Sequence, residues 1–273
     1  MNATTPVFAL NHMSAPRFDI GRFFALAASL GVGGVEIRND LDGNAILDGT
    51  PPEEVRSLAA RHGLEILSIN ALQRFNEWNG ARESEARSLA SYCARCGARG
   101  LVLVPVNDGS GRADGERQAN LRVALQGLAP ILVEAGILGL VEPLGFATCS
   151  LRLKSEAVEA IEAAGMTATF RLVHDTFHHF VAGESVLFPQ ITGLVHVSGV
   201  ADRSVTVTGM RDAHRVLVDG EDRIGNVEQI AALIDGGYAG PLSFEPFAPA
   251  VHALADPGPA LSASIAHLRS ALV

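Results

Sequence analysis

Lysine is almost absent from this chain of 273 residues: Lys154 is the only one, and every other basic residue is arginine. Schiff-base chemistry in an enzyme core needs an inward lysine, and Lys154 opens a helix-like stretch, so that class is excluded. Cysteine is sparse as well. Cys93, Cys96 and Cys149 are too few and too uneven for a disulfide framework. Cys93 and Cys96 have CxxC spacing, but they lie in a helix-like stretch with no second pair, which leaves a closed zinc site short of ligands. Aromatic residues make up 5% of the chain, and the formal charge is −9. A nucleic-acid partner calls for a basic footprint that displaces counterions, and the overall balance is acidic. No apolar run approaches the roughly 20 residues that span a bilayer, so no membrane partner is expected. The opening "MNATTPVFAL" lacks a positive region leading into an apolar stretch, and the expected location is the cytoplasm. A dinucleotide fingerprint is missing too. The glycines of "ASLGVGGVE" end a helix and precede a strand, the reverse of the required order.

What is present is a rhythm. Short apolar runs recur at 7–13, 34–38, 65–71, 100–106, 139–144, 170–176, 193–199 and 242–247. Between them lie stretches with apolar residues at three- and four-residue spacing, the mark of amphipathic helices. "DIGRFFALAASLGV" starts on Asp19, a capping residue, and Gly31 can end it; "PPEEVRSLAARHGL" has prolines in its first turn and glutamates just after. Eight strands alternating with helices imply parallel strands joined by crossovers. The expected fold is an α/β closed (β/α)₈ TIM barrel, a single domain over residues 1–273, with no linker or low-complexity segment to divide it.

Polar residues gather at one end of the runs. His12 ends the first run; Glu36 and Arg38 end the second; Asn70 ends the third; Asn107 follows the fourth. Glu142, Asp175, His196 and Glu245 end the last four. In a barrel these ends line the active site. Three facing carboxylates repel and cannot all ionise without a cation. One divalent metal ion resolves the conflict, and a donor set of mostly hard oxygens favours Mn²⁺, with Mg²⁺, Co²⁺ or Zn²⁺ also suited. Other readings compete at each position: Asp175 as a cap of the next helix, Glu245 as an arginine partner, His196 as a core histidine. His174 alternates to the opposite face from Asp175 and reads as structural. His178, one helical turn beyond Asp175, is expected to reach the substrate.

The stretches "VEPLGF", "VHDTFHHF", "VHVSG" and "SFEPF", in that order, together with "HRVLVDGEDRIGNVEQIAALIDGGYAGPLSFEPF", resemble the xylose isomerase-like TIM-barrel superfamily in its sugar isomerase and epimerase branch. The likeness runs over essentially the whole chain and is strongest to the inosose (2-keto-myo-inositol) isomerases. It implies one divalent metal held by Glu142, Asp175, His196 and Glu245, chelated by the substrate's carbonyl and neighbouring hydroxyl, with His178 on the substrate. An arginine after the seventh-strand histidine has no matching residue here; Arg203 is its neighbour in the alignment. The ketose 3-epimerases carry a second glutamate six residues after the fifth-strand ligand, where this chain has Thr148, which speaks against that activity.

The expected reaction is isomerisation of a keto-polyol by enediolate proton transfer, with Glu142 and Glu245 as base and acid on opposite faces of the substrate. His178, Arg203, Glu36, Arg38, Asn70, Asn107 and His12 are the expected substrate contacts. A dehydratase of the inosose or dehydroshikimate type would start from the same intermediate, and hydroxypyruvate isomerase or ketose 3-epimerase is a further alternative. A phosphodiesterase of the endonuclease IV type would want more metal-binding histidines, and a non-catalytic sugar-binding barrel would not need all four ligands. The last two loops show no convincing phosphate cradle, so the expected partner is an unphosphorylated sugar or inosose. A homo-oligomer is left open. In "LQRFNEWNG" the residues Arg74, Phe75, Glu77 and Trp78 read equally well as a wall over the sugar or as a packed surface turn. In "RDAHR", Arg211 is expected to pair with surface acids, and His214 and Arg215 are not assigned.

Overall fold

Helix boundaries fall where capping chemistry puts them. The computed structural model describes residues 6–43, 46 and 48–272. The Asp19 side chain accepts the Arg22 N–H at 2.8 Å and starts α1 (Ile20–Ser29). Gly31 follows the helix at φ +67°, a conformation that glycine adopts without strain. Prolines open α2 (Pro52–Arg61), with Glu53 and Glu54 in its first turn. α3 (Gly80–Cys96), α4 (Glu116–Ala135), α5 (Lys154–Ala163), α6 (Thr176–Ala182), α7 (Asn226–Asp235), α8 (Pro249–His252) and α9 (Gly258–Ala271) complete the helices described.

The apolar runs form β1 (Val7–Asn11), β2 (Gly34–Arg38), β3 (Glu65–Gln73), β4 (Gly100–Val104), β5 (Leu138–Val141), β6 (Phe170–Asp175), β7 (Thr192–Val197) and β8 (Pro241–Phe244). Each strand pairs in parallel with the next, and β8 closes on β1, so the expected barrel is the observed one. β4, β5 and β8 end earlier than the sequence runs, because their polar ends have already turned into the mouth loops.

Alternation along each strand divides the residues between two environments. The outward faces, with Phe8, Leu10, Val35, Ile37, Leu101, Leu103 and Phe244, pack under the helices in one large core. Inside the barrel, Ala9, Leu67, Ala71, Val102, Leu140, Val173 and Leu194 form a dry floor. Above it the register sets Asn11 beside Glu36 and Glu36 beside Ser68. It likewise sets Asp175 beside His196 and His196 beside Ser243. One layer up the barrel axis, the interior changes from apolar to polar.

Candidate metal centre

Four ligand atoms, one each from Glu142, Asp175, His196 and Glu245, lie within 4.8 Å of one another in a buried cluster that can hold a metal ion. Glu142 and Glu245 stand one residue beyond β5 and β8, while Asp175 and His196 lie at the C-terminal ends of β6 and β7. Asp175 has two jobs. Its Oδ1 caps α6 by accepting the His178 N–H at 2.8 Å, and its Oδ2 takes the Arg215 Nη2–H at 2.6 Å. The capping role therefore coexists with a place in the cluster, one oxygen turned to α6 and the other to Arg215.

His196 is wholly buried. Its Nδ1 faces Glu142 at 2.8 Å and Glu245 at 3.2 Å, and its Nε2 bonds Glu36 at 3.1 Å. This is the geometry of a histidine that offers Nδ1 to an ion while a carboxylate behind it fixes the other nitrogen as N–H. Glu36 is saturated in that supporting role. It accepts from Ser68 Oγ at 2.6 Å, from Asn70 Nδ2 at 2.7 Å and from Asn11 Nδ2 at 3.4 Å, with Ser243 Oγ also donating.

Two buried arginines tie the acids together. Arg38 Nη1 donates to Glu245 Oε1 at 2.8 Å, and Arg215 Nη2 donates to Glu245 Oε2 at 2.9 Å as well as to Asp175. Their outer edges are held by Asp40 and Asp212, which are partly exposed. Among the buried groups Glu36, Glu142, Asp175 and Glu245 face the fixed charges of Arg38 and Arg215, so two negative charges go unmatched whenever His196 is neutral, as a ligand imidazole is. A divalent cation supplies that balance, and the donor set fits one.

Proton affinities show the same excess. Burial works against charge on His196, but Glu245, Glu36 and Glu142 outweigh it and hold the imidazole well above its ordinary value. Glu142 is raised, first by burial and then by Glu245 and Asp175, despite the pull of His196. Glu36 and Glu245 are held low. Burial would raise both, and His196 reverses it, with Arg215 and Arg38 adding to the effect on Glu245.

Of the other residues expected at the site, Asn70 joins as a support of Glu36, and Glu36 and Arg38 face the ligands, with their bonds already committed to protein partners. His178 sits at the mouth, edge-on to Phe146 and Phe177 with ring centroids 5.0 and 5.3 Å away. Its Nδ1 accepts the Gly145 N–H at 3.3 Å, which leaves the ring proton on Nε2. A Cβ on Gly145 would stand 2.2 Å from the His178 carbonyl oxygen, so only glycine lets this loop lie against α6. His12 turns away: Nε2 bonds the Phe18 carbonyl at 2.9 Å and the ring stacks on Phe23. Its neighbour Asn11 is the residue that reaches Glu245, at 3.1 Å. Asn107 lies farther out, bonded to Thr148. Arg203 is on the surface, about three-quarters exposed and paired with Glu221. The arginine at the cluster is Arg215, which the loop after β7 carries back into the barrel through a bridge between Gly199 and Val216. A hint lay in the sequence, since Arg215 is the second residue of the long closing stretch that carries the family likeness.

The remaining expectations separate cleanly. Phe75 is core and Trp78 packs on it, and Trp78 also fills the space above Gly127, so this loop is a packed turn. Arg211 bonds the Thr208 and Met210 carbonyls, with no surface acid. The three cysteines are free and buried. Lys154 is buried behind β6 against His179 and Glu184, outside the barrel interior. Among the described residues no helix is long and apolar enough to cross a membrane.

A closed parallel barrel with one carboxylate–imidazole cluster at its C-terminal mouth defines a class of metal-site barrels. The family model described as xylose isomerase-like TIM barrel matches residues 24–271, and the chain belongs to that family. Among solved structures, a xylose isomerase domain-containing protein of Salmonella typhimurium is 33% identical, with a TM-score of 0.89 over 100% of this chain and 99% of that one. The IolI protein, solved with a bound zinc atom, is 19% identical with a TM-score of 0.86 over 97% of both chains. An L-ribulose 3-epimerase is 18% identical with a TM-score of 0.70, over 98% of this chain and 94% of the other. No curated protein matches the chain.

Proposed function

We propose that the protein is a metal-dependent isomerase of a small hydroxyketone of the sugar or inosose type, with 2-keto-myo-inositol as the reference substrate. The observation that carries this reading is the cluster of Glu142, Asp175, His196 and Glu245, buried at the barrel mouth with two negative charges in excess when His196 is neutral. The zinc atom recorded for the IolI protein supports it. A divalent ion bound there supplies Lewis acidity toward a carbonyl and its neighbouring hydroxyl.

The protein's own groups do the rest. Glu142, whose proton affinity is raised, and Glu245, held ionised by two arginines, stand on different strands and address the substrate from different sides. One removes the proton beside the carbonyl and the other returns a proton to the neighbouring carbon. His178 offers its Nε2–H to a substrate hydroxyl. Asp175 and His196 hold position, the first through the α6 cap and the second through Glu36. Thr148 has no acid–base capacity, so the proton work falls on the two glutamates.

The test is to strip the protein with chelator, restore Mn²⁺, and follow 2-keto-myo-inositol by NMR in D₂O. Metal-dependent formation of an isomeric ketone, with label or transferred proton at the new C–H, is the expected result. An enone or diketone would move the protein to the dehydratases. Absence of bound metal, with Glu142→Gln and Glu245→Gln behaving as the parent, would overturn the site.

A further inference from the structure

Beside the metal cluster lies a second feature that the proton chemistry does not use. A cavity of about 300 Å³ opens between the loops that follow β4, β5 and β7, with α6 contributing one wall. Arg152 and Arg211 line it, together with the polar side chains of Asn107, Thr148 and Thr208 and the ring of Phe146. It adjoins the reactive centre on two sides. Phe146 packs edge-on against His178, and Asp212, which also lines the cavity, bonds Arg215 at 3.3 Å. A long substrate over the cluster would reach this space past His178.

The two guanidiniums are placed for a ligand and are not consumed by the protein. Among the described residues neither has a carboxylate partner, in a chain whose formal charge is −9. Arg152 is fixed by its Nε and Nη2, which both donate to the Gly145 carbonyl at 3.0 and 2.9 Å, so Nη1 is left over. Arg211 is anchored through Nη1 to the Thr208 and Met210 carbonyls, at 2.9 and 2.6 Å, which leaves the Nε–Nη2 edge open. That edge is the one that matches a carboxylate with two parallel hydrogen bonds. Asp212, the one acid in the lining, is turned to Arg215.

We propose that Arg152 and Arg211 form an oxyanion subsite that holds a carboxylate at the far end of a substrate whose hydroxyketone lies on the metal cluster. The natural substrate is then a polyhydroxy keto acid, and a neutral inosose is a poorer analogue of it. This rests on the metal-cluster reading of the reactive centre and narrows its substrate class. The cavity is at the small end of the range for ligand sites, which suits the acidic half of a sugar acid.

The test compares two ligands that differ only at that end. 5-Keto-D-gluconate carries a carboxylate where L-sorbose carries a hydroxymethyl group on the same carbon skeleton. Both are titrated calorimetrically into the metal-loaded protein, and into Arg152→Met and Arg211→Met after their melting curves show that they are folded. The acid is expected to bind at least about tenfold more tightly than the ketose, as charge-assisted hydrogen bonds allow, and each substitution is expected to erase most of that advantage. Equal binding of the two, or binding of neither, overturns the proposal. So does an advantage that survives both substitutions, which places the carboxylate on the metal. L-Sorbose 6-phosphate is the third ligand. If it gains more than the acid and loses the gain in both variants, the carboxylate assignment falls in favour of phosphate. Metal content measured on the same samples separates this from the wider reading: a protein that binds no metal fails there first.

Discussion

Two buried polar clusters lie on opposite faces of β6, one strand apart, and they treat histidine in opposite ways. His174 and Asp175 are consecutive, and alternation sends them to opposite sides. Inside the barrel Asp175 joins His196, three glutamates and two arginines. Outside it His174 bonds Gln229 at 3.0 Å and lies 4.8 Å from the His179 ring, which in turn meets Lys154. Glu184 stands 3.5 Å from the Lys154 ammonium and accepts the Lys154 and Ser155 N–H groups, capping α5 from the loop after α6. His174 and His196 are both fully buried. The inner imidazole is held well above its ordinary value by an excess of carboxylates. The outer pair is held below it, by burial and then by the Lys154 charge, with His179 at about 4. The sign of the surrounding charge, more than burial itself, decides which cluster attracts a cation. The inner one, rich in carboxylates, can take a cation, and the outer one holds two helices against the sheet.

The largest effect expected from breaking this contrast is Glu245→Gln. It removes a ligand and leaves Arg38 and Arg215 buried with fewer partners. Metal affinity should fall by more than the roughly 10–100-fold of an outer-shell loss. Urea unfolding of the metal-free protein should show a loss of about 3–5 kcal/mol, the range for breaking a buried ion pair. Next comes Glu36→Gln, which touches no metal but frees the Nε2 side of His196. Metal affinity should drop by about 10–100-fold with the four ligands intact, as a competition titration with a chromophoric chelator would show. An unchanged affinity would mean that Glu36 serves only the fold.

A smaller effect concerns pH. His12 and His179 are both lowered to about 4, chiefly by burial, while the unfolded chain protonates them near 6.5. Between those values the unfolded state binds more protons, so stability declines as pH falls through that window. Melting temperatures of the parent and of His179→Gln should converge toward the lower end, with the shallower slope in the variant. The smallest change is expected for Lys154→Met. Lys154 is lowered to about 8 by burial against the pull of Glu184. An apolar side chain of similar length removes that buried charge, and Glu184 keeps its two N–H donors. Urea melts at pH 7 should place the variant within about 1–2 kcal/mol of the parent, since a proton held at about 8 is given up near neutral pH at roughly the cost of one pKa unit. A large loss would show that the outer cluster, too, depends on its charge.

Several features were legible before any coordinates. Strand and helix rhythm follows from periodicity, and the helix boundaries from Asp19, the prolines of α2 and the glycines after the helices, because these signals act within one or two turns of chain. The clustering of Glu142, Asp175, His196 and Glu245 was legible for a related reason, since a carboxylate or imidazole at the end of an apolar run stands out, and parallel strands place equivalent ends together. What the sequence could not settle was which neighbour faces inward and which arginine arrives from afar. Asn11 rather than His12 reaches Glu245 because the chain turns right after β1 and swings the imidazole onto Phe23. Arg215 rather than Arg203 enters the cluster because a long loop folds back across the mouth, a tertiary event with no local periodicity. Glu36 and Arg38 were correctly placed at the mouth, but their saturation by Ser68, Asn70, Ser243 and Asp40 depends on cross-strand register. Local propensity and strand polarity thus determined the barrel and the carboxylate–imidazole ring at its mouth. Burial, register and loop return decided the supporting shell, because those contacts join residues that only the closed barrel brings within hydrogen-bonding distance.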